Sequence, residues 1–258
     1  MRVKALVLVL SLSALCAALP LAAQEYEQLM LPVAPSLVFC AYESRYETRL
    51  VAFNDHEAMA SRFCADNRCH DLEAKTGSEI TNVESGGTPL PVFLYVPKET
   101  ADSMRMSLTV EASNKDHLDE RGFTELPIVR AGDFTEGKLQ LVGLRMDPGF
   151  RQTVRMFGLD GAMSGYVMMR AYKLNSNQLL FEWPFYVGPI SNERTSDGKQ
   201  LRPAFGMECD ISAYLHSYGQ KVRIDLESMT PGLKYWAFIS VTNNKTQHFY
   251  TVLPRAAN

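Results

Sequence analysis

The tightest grouping of chemically capable side chains in this sequence is Cys64, Cys69 and His70. Cysteine and histidine at short spacing are typical zinc ligands, but the common zinc pattern has two pairs of ligands, and here Asp66 or Asp71 would have to supply a fourth. Cys64 and Cys69 are also close enough to form a small disulfide loop. Because disulfides persist in oxidising compartments, the compartment decides between the two interpretations.

The first 23 residues indicate that compartment. Met1–Lys4 carries two positive charges, Ala5–Ala18 is apolar or small, and Ala22 and Ala23 offer a cleavage point before Gln24. This is the layout of a secretory signal peptide, so residues 1–23 are predicted to be removed. The apolar part is short for a membrane span, and no later stretch is apolar for long enough, so we predict no transmembrane segment. We expect a secreted or periplasmic protein in which a disulfide is favoured over zinc, with no metal and no cofactor.

Four cysteines follow the signal peptide, and an even number in an exported chain favours disulfides. They are Cys40, Cys64, Cys69 and Cys209. Pairing Cys64 with Cys69 leaves Cys40 for Cys209, which would tie the first strand region to the second half of the chain. Cys40 and Cys64 are alternative cross-strand partners, and free buried thiols are a further alternative, so the pairing stays open.

Catalytic signatures are lacking in this sequence. It contains no nucleophile elbow, no His-Glu-x-x-His zinc motif and no phosphate-binding loop. Acidic neighbours such as Asp119 and Glu120, or Asp133 and Glu136, suit a glycosidase, but nothing singles out one pair. The acidic stretch at residues 54–57 lacks the ligand alternation of a dedicated calcium site. We therefore predict no catalytic residues and a protein that is not an enzyme.

Aromatic side chains are the remaining candidates for a binding site. Exposed aromatic rings stack on sugars or form protein hot spots, which makes Trp183 and Trp236 the candidate ligand-surface residues. In the stretch 235–241 both alternating sets of residues are large and apolar, which favours burial for most of its aromatics. Trp183 lies next to Pro184, and it is the aromatic for which we most expect exposure.

Hydrophobic alternation predicts β-strands along most of the chain. Residues 104–112 and 222–227 alternate apolar and polar side chains, so each is expected to bury one face. Further strands are predicted at residues 49–53, 92–96, 138–144, 154–157, 166–172, 179–187, 235–241 and 246–253. Pro184 predicts an edge strand or a bend, and the Thr242–Lys245 segment predicts a hairpin turn. Residues 56–63 predict either two helical turns capped by Asp55 or a loop leading into a strand. Asn114–Gly122 and Ser191–Arg202 are polar and are predicted to be the loops that carry recognition.

Short strands separated by turns predict an all-β protein of two tandem antiparallel, immunoglobulin-like β-sandwiches, at residues 24–133 and 134–258. A faint internal duplication, in which Tyr46–Phe63 aligns with Phe150–Val167, supports two units. One large sandwich is the alternative. The formal net charge is −3, and the acidic and basic residues are interspersed along the chain. Neither a basic stripe nor a basic amphipathic helix is visible in the sequence. We therefore do not expect this protein to bind nucleic acids or membrane surfaces.

Two segments, Glu43–Asn54 with the preceding Leu31–Val33, and Tyr235–Pro254, resemble strand and turn patterns of exported bacterial β-sandwich proteins of unassigned role. In outline the chain is similar to the periplasmic pilus chaperones, which bind an extended strand at a sheet edge. The sequence predicts a non-catalytic binding or structural component of the cell envelope whose partner is an envelope protein or glycan. A carbohydrate-binding or carbohydrate-active protein is the first alternative, and a chaperone-like binder of extended strands is the second.

Overall fold

A computed structural model describes residues 25–32, 44–65, 68–81, 91–114, 116–144, 147–159, 163–189, 204–216 and 221–256. These residues form eighteen β-strands, two short α-helices and one 3-10 turn. All neighbouring strands pair antiparallel, and the predicted all-β class is confirmed. No helix among these residues is long and apolar enough to cross a bilayer. The predicted signal peptide, Cys40 and the predicted loop at 191–202 lie outside the described residues.

The strands of the first half form two sheets. Their order is β4-β3-β6-β1-β9 in one sheet and β5-β2-β7-β8 in the other. The strands are β1 (Tyr26–Leu31), β2 (Ser44–Asn54), β3 (Ser61–Ala65), β4 (Arg68–Leu72), β5 (Gly77–Thr81), β6 (Val92–Pro97), β7 (Met104–Asn114), β8 (His117–Leu126) and β9 (Val129–Arg130). Helix α1 (Lys98–Ala101) joins β6 to β7, and the 3-10 turn Ala131–Asp133 follows β9.

The strands of the second half form a nine-stranded sheet, ordered β17-β16-β11-β14-β13-β12-β15-β10-β18. They are β10 (Leu139–Val142), β11 (Phe150–Gly158), β12 (Gly165–Lys173), β13 (Leu179–Pro189), β14 (Ala204–Asp210), β15 (Val222–Ser228), β16 (Tyr235–Asn243), β17 (Phe249–Val252) and β18 (Arg255–Ala256), with α2 (Ser212–His216) between β14 and β15. β13 pairs with β12 from Leu179 to Val187 but with β14 only at Gly188 and Pro189. The sheet therefore consists of two ladders joined at the end of β13, and Pro184 lies outside the short β13–β14 ladder.

Alternation along β7 shows why the sequence forms this strand. Leu108, Val110 and Ala112 are buried, whereas the intervening Thr109 and Glu111 are partly exposed. Because successive strand side chains point to opposite faces, one face covers the first core while the other meets water. The predicted one-sided burial of residues 104–112 is confirmed.

Strand β16 is buried on both faces and connects the two hydrophobic cores. Ala237, Ile239 and Val241 belong to the core of the second half. Trp236 and Phe238, on the opposite face, belong with Phe157 of β11 to the core formed mainly by the first half. The predicted burial of both faces in residues 235–241 is confirmed, because a strand between two apolar layers needs large apolar groups at every position.

Two segments correct or resolve the sequence interpretation. Residues 55–60 are irregular and lead into β3, so the loop alternative holds; the side-chain oxygen of Asn54 accepts a hydrogen bond from the His56 amide at 3.2 Å. The loop predicted at Asn114–Gly122 is wrong, because this segment is the β7–β8 turn and the start of β8. Its charges belong to an exposed edge strand, where Arg121 pairs with Glu111 of β7 at 2.8 Å.

Candidate functional site

The cysteine-containing segment forms a hairpin at the edge of the first sheet. Cys64 of β3 lies directly opposite Cys69 of β4, and Cys69 is in the disulfide-bonded form. Opposite residues in antiparallel strands are about 4.5–5.5 Å apart at Cα, a separation that a disulfide can span. The His70 ring stacks on Phe63 with the ring centroids 5.0 Å apart. No group of three His, Cys, Asp or Glu residues that could hold a metal occurs in the described part of the chain.

Cys209, the fourth cysteine, lies in β14 with its backbone opposite Val154 of β11. Cys40 is outside the described residues, so the structure does not address the pairing of these two cysteines.

Four of the carboxylates that the sequence offered for chemistry have structural partners. Asp55 and Glu57 both bind Lys75, at 3.0 and 2.7 Å, and the hydrogen bond from Lys75 lowers the pKa of Asp55. The Asp133 carboxylate accepts a hydrogen bond from the Arg130 amide at 2.7 Å. The Glu136 carboxylate accepts a hydrogen bond from the Gly232 amide at 3.1 Å. Asp119 and Glu120 lie in β8.

The two tryptophans of this protein occupy opposite environments. Trp236 is 5% exposed and packs against Phe238 and Phe157, with centroids 5.5 and 6.2 Å away. It therefore offers no ligand surface, since its ring fills the core between the two halves. Trp183 of β13 is 53% exposed, as its position beside Pro184 led us to expect.

Trp183 is exposed although it lies on the inward face of β13. It shares that face with the buried Phe185 and lies opposite the buried Met169 of β12. Phe181, two residues earlier on the same face, is covered by Tyr214 of α2, with the ring centroids 5.7 Å apart. Tyr214 is itself 51% exposed. We call Phe181, Trp183 and Tyr214 the α2 aromatic cluster; it lies at the border between the second core and solvent.

The opposite face of the β12–β13 ladder carries a second aromatic group. Tyr166 of β12 and Tyr186 of β13 are register partners, their rings meet edge to face with centroids 5.4 Å apart, and each is 50% exposed. We call them the tyrosine pair. The α2 aromatic cluster and the tyrosine pair lie on opposite faces of the β12–β13 ladder. We call these two groups together the aromatic surface.

Charged side chains continue the outer face of this ladder beyond the tyrosine pair. Arg170 of β12 binds Glu182 of β13 at 3.3 Å and Glu227 of β15 at 2.5 Å. The hydrogen bond to Glu227 is the main reason why the pKa of Arg170 is raised. The two carboxylates are about half exposed, so this face presents aromatic rings at one end and hydrogen-bonding groups further along.

The strands at the two ends of each sheet order are short or charged. β9 and β18 have two residues each and β17 has four, whereas β4, β5 and β8 carry charged side chains. These are the features by which proteins protect edges from pairing with other chains. This argues against the binding of an extended strand at these terminal strands.

The tyrosine pair is the part of this surface that sequence reasoning missed. Tyr166 and Tyr186 each lie in a predicted strand, but no local pattern reveals that they are register partners. The available signal was the alternation of Tyr166, Met168 and Arg170, which places these three side chains on one face.

Comparison of the chain with protein-family models, with curated proteins and with solved structures found no match.

Proposed function

We propose that this protein is an exported, non-catalytic binding protein of the cell envelope and that the aromatic surface on β12, β13 and α2 holds its ligand. The proposal extends to the architecture, as two tandem antiparallel sandwiches of immunoglobulin-like type, and to a secreted or periplasmic location. We expect this surface to act by recognition, because aromatic rings bury a large apolar area when a ligand covers them.

One observation carries the proposal, namely the concentration of half-exposed aromatic rings on one pair of strands and the adjacent helix. Trp183, Tyr166, Tyr186 and Tyr214 are all between 50% and 53% exposed. Tryptophan and tyrosine are the residues most enriched at binding hot spots, because they bury much area at little cost in conformational entropy. Such rings on each face of one strand pair are therefore better explained by binding than by solvation.

The sheet composition supports the tandem arrangement. Strands up to Arg130 form two sheets of their own, and strands from Leu139 onward form the nine-stranded sheet. Each set surrounds one hydrophobic cluster, and the first cluster also takes Phe157, Trp236 and Phe238 from the second half. We infer from this overlap that the two halves are stable as one body rather than as independent modules.

The hairpin geometry supports an oxidising compartment. With Cys69 in the disulfide-bonded form and Cys64 opposite it, we infer a Cys64–Cys69 bond that staples the edge of the first sheet. Such a bond persists in secreted or periplasmic proteins and is rare in reducing compartments.

Carbohydrate binding is the second candidate, and the exposed Trp183 and tyrosine pair favour it, because the apolar face of a sugar ring stacks on aromatic rings. The envelope partner in this case is a glycan rather than a protein. Chaperone-like binding of extended strands has less support, because the strands at the ends of the sheets are short or charged.

Retention on isolated, washed envelope material tests the proposed function. We expect the wild-type protein to be retained and a variant with Trp183→Ser, Tyr166→Ser, Tyr186→Ser and Tyr214→Ser to pass through. The matched control is Phe123→Ser, which removes a 64% exposed aromatic from β8 of the first half and should leave retention unchanged. Thermal unfolding of each variant checks folding, and Trp183→Ser alone serves if the quadruple variant unfolds. Equal retention of wild type and both aromatic-surface variants, or chemical change in the retained material, contradicts the proposal.

A further inference from the structure

The tyrosine pair is fixed in place by the backbone around it. A Cβ atom at Gly188 would overlap the Tyr186 ring, so this ring lies directly against the strand backbone. A Cβ atom at Gly165 would overlap the Thr230 side chain. The Thr230 hydroxyl accepts a hydrogen bond from the Tyr166 amide at 3.0 Å. The Tyr166 carbonyl in turn accepts the Met229 amide at 2.8 Å. The residues that carry both rings are thus held before any ligand arrives, which reduces the entropy lost on binding.

Polar groups follow the rings at regular spacing along the same face. Pro184 and Met168 form the next rung after the tyrosine pair, and Glu182 and Arg170 form the rung after that. Arg170 is four positions after Tyr166 in β12, which corresponds to about 13 Å along a strand at roughly 3.3 Å per residue. An elongated ligand lying along β12 would therefore touch aromatic rings at one end and a guanidinium with carboxylates at the other.

Local charge limits what this ligand can be. Arg170 binds the carboxylates of Glu182 and Glu227. Asp225, the register partner of Arg170 on β15, binds Lys138 and Arg223, so the charges of these six side chains cancel. A face without net charge offers a phosphorylated or strongly acidic ligand no electrostatic attraction. A neutral molecule that has apolar C–H faces and many hydroxyl groups matches both ends of the strip, since half-exposed carboxylates accept hydrogen bonds from hydroxyls and the guanidinium donates to them.

A protein partner fits this strip less well. Protein hot spots are aromatic centres surrounded by a ring of contacts that excludes water. Here Tyr166 and Tyr186 lie at one end of the ladder, close to the start of β12 and the end of β13, and the charged rung lies on one side of them. The arrangement is a linear strip rather than a ringed patch.

We propose that the tyrosine pair is a stacking subsite for a neutral oligosaccharide, with Arg170, Glu182 and Glu227 as hydrogen-bonding partners for its hydroxyl groups. This inference rests on the proposed function and assigns a ligand class to one part of the aromatic surface. Because binding involves no covalent step, the sugar is released unchanged.

A glycan array that contains neutral and uronic-acid oligosaccharides, followed by titration calorimetry with the best-binding neutral glycan, tests the proposal. We expect neutral glycans to bind wild type and the Phe123→Ser control equally. Tyr166→Ser with Tyr186→Ser should weaken the affinity by at least about tenfold, which corresponds to about 1.4 kcal/mol. Tyr186→Phe keeps the ring and should retain most of the binding, which separates stacking from a hydrogen bond of the hydroxyl.

Glu182→Gln gives the readout specific to charge. It replaces a charged hydrogen-bond acceptor by a neutral one, so neutral glycans should bind more weakly than to wild type. Because one negative charge is removed, the affinity for uronic-acid glycans relative to neutral glycans should rise. Absence of glycan binding in a protein that is still retained on envelope material overturns this inference and leaves the proposed function standing. Loss of both activities in the folded wild-type protein contradicts both. Glycan binding that survives the tyrosine double substitution assigns the sugar to another surface and also overturns the inference.

Discussion

Replacement of each of the two tryptophans by alanine should have very different effects on the stability of the protein. Trp236→Ala removes a ring that is 5% exposed and packed between Phe157 and Phe238. Large-to-small changes of this kind in a core cost about 3–5 kcal/mol, because the cavity refills only in part. Trp183→Ala removes a ring that is 53% exposed, and surface substitutions usually change stability by less than about 0.5 kcal/mol.

Thermal and denaturant unfolding measure this difference. For a chain of this size roughly 2–4 °C of midpoint shift accompanies each kcal/mol, so Trp236→Ala should lower the midpoint by roughly 6–20 °C, whereas Trp183→Ala should leave it within about 2 °C. Because the protein contains two tryptophans, fluorescence adds an independent check. In Trp183→Phe the remaining emission comes from Trp236 and should resist quenching by acrylamide, whereas in Trp236→Phe it comes from Trp183 and should be quenched readily.

Equal destabilisation by the two alanine variants would refute the assignment of Trp236 to the core and Trp183 to the surface. Equal quenching in the two single-tryptophan proteins would do the same. It would also remove the main support for the aromatic surface, because that surface depends on Trp183 being accessible to solvent.

Two further predictions concern one contact within the second half of the chain and one contact between the two halves. The buried Tyr235 hydroxyl donates a hydrogen bond to the Gly137 carbonyl at 2.9 Å, and burial raises the pKa of Tyr235 above its ordinary value. The phenol of the unfolded chain titrates near pH 10. The contribution of Tyr235 to the free energy of unfolding is therefore complete below about pH 10 and is lost as the pH rises towards the raised pKa. Tyr235→Phe should therefore cost about 1 kcal/mol in urea unfolding at neutral pH and should flatten the stability loss above pH 10, in contrast to a substitution of an exposed tyrosine. Gly122→Ala would place a Cβ atom against the His248 ring and should cost about 1–3 kcal/mol by overpacking, and a double-mutant cycle with His248→Ala should recover most of it; additive costs would show that the two residues do not touch.

Local pattern was enough to predict the strands. Alternation in residues 104–112 and apolar side chains on both faces of residues 235–241 follow from the period of a strand and from what covers each face. Trp236 was named as a candidate ligand-surface residue and lies in the core instead, as the apolar pattern of its strand had favoured for most of the aromatics there. Trp183 could be expected at the surface because Pro184 disrupts the backbone next to it.

Charge and register explain what local pattern missed. The run Asn114–Gly122 looked like a loop because it is rich in charge, but edge strands carry charged side chains for protection. The tyrosine pair depends on which residue of β12 lies opposite which residue of β13, and register is a property of two strands that neither sequence segment contains alone. The same is true of Arg170 with Glu182 and of the cross-strand position of Cys64 and Cys69.

Amide hydrogen exchange, compared with and without isolated envelope polysaccharide, measures most directly where this protein binds. Slowed exchange confined to β12, β13 and α2, with the polysaccharide recovered chemically unchanged, is the result that we predict. Slowed exchange confined to β2, β7 and β8 of the first half, or cleavage of the polysaccharide, would contradict a non-catalytic binding surface built around Trp183 and the tyrosine pair.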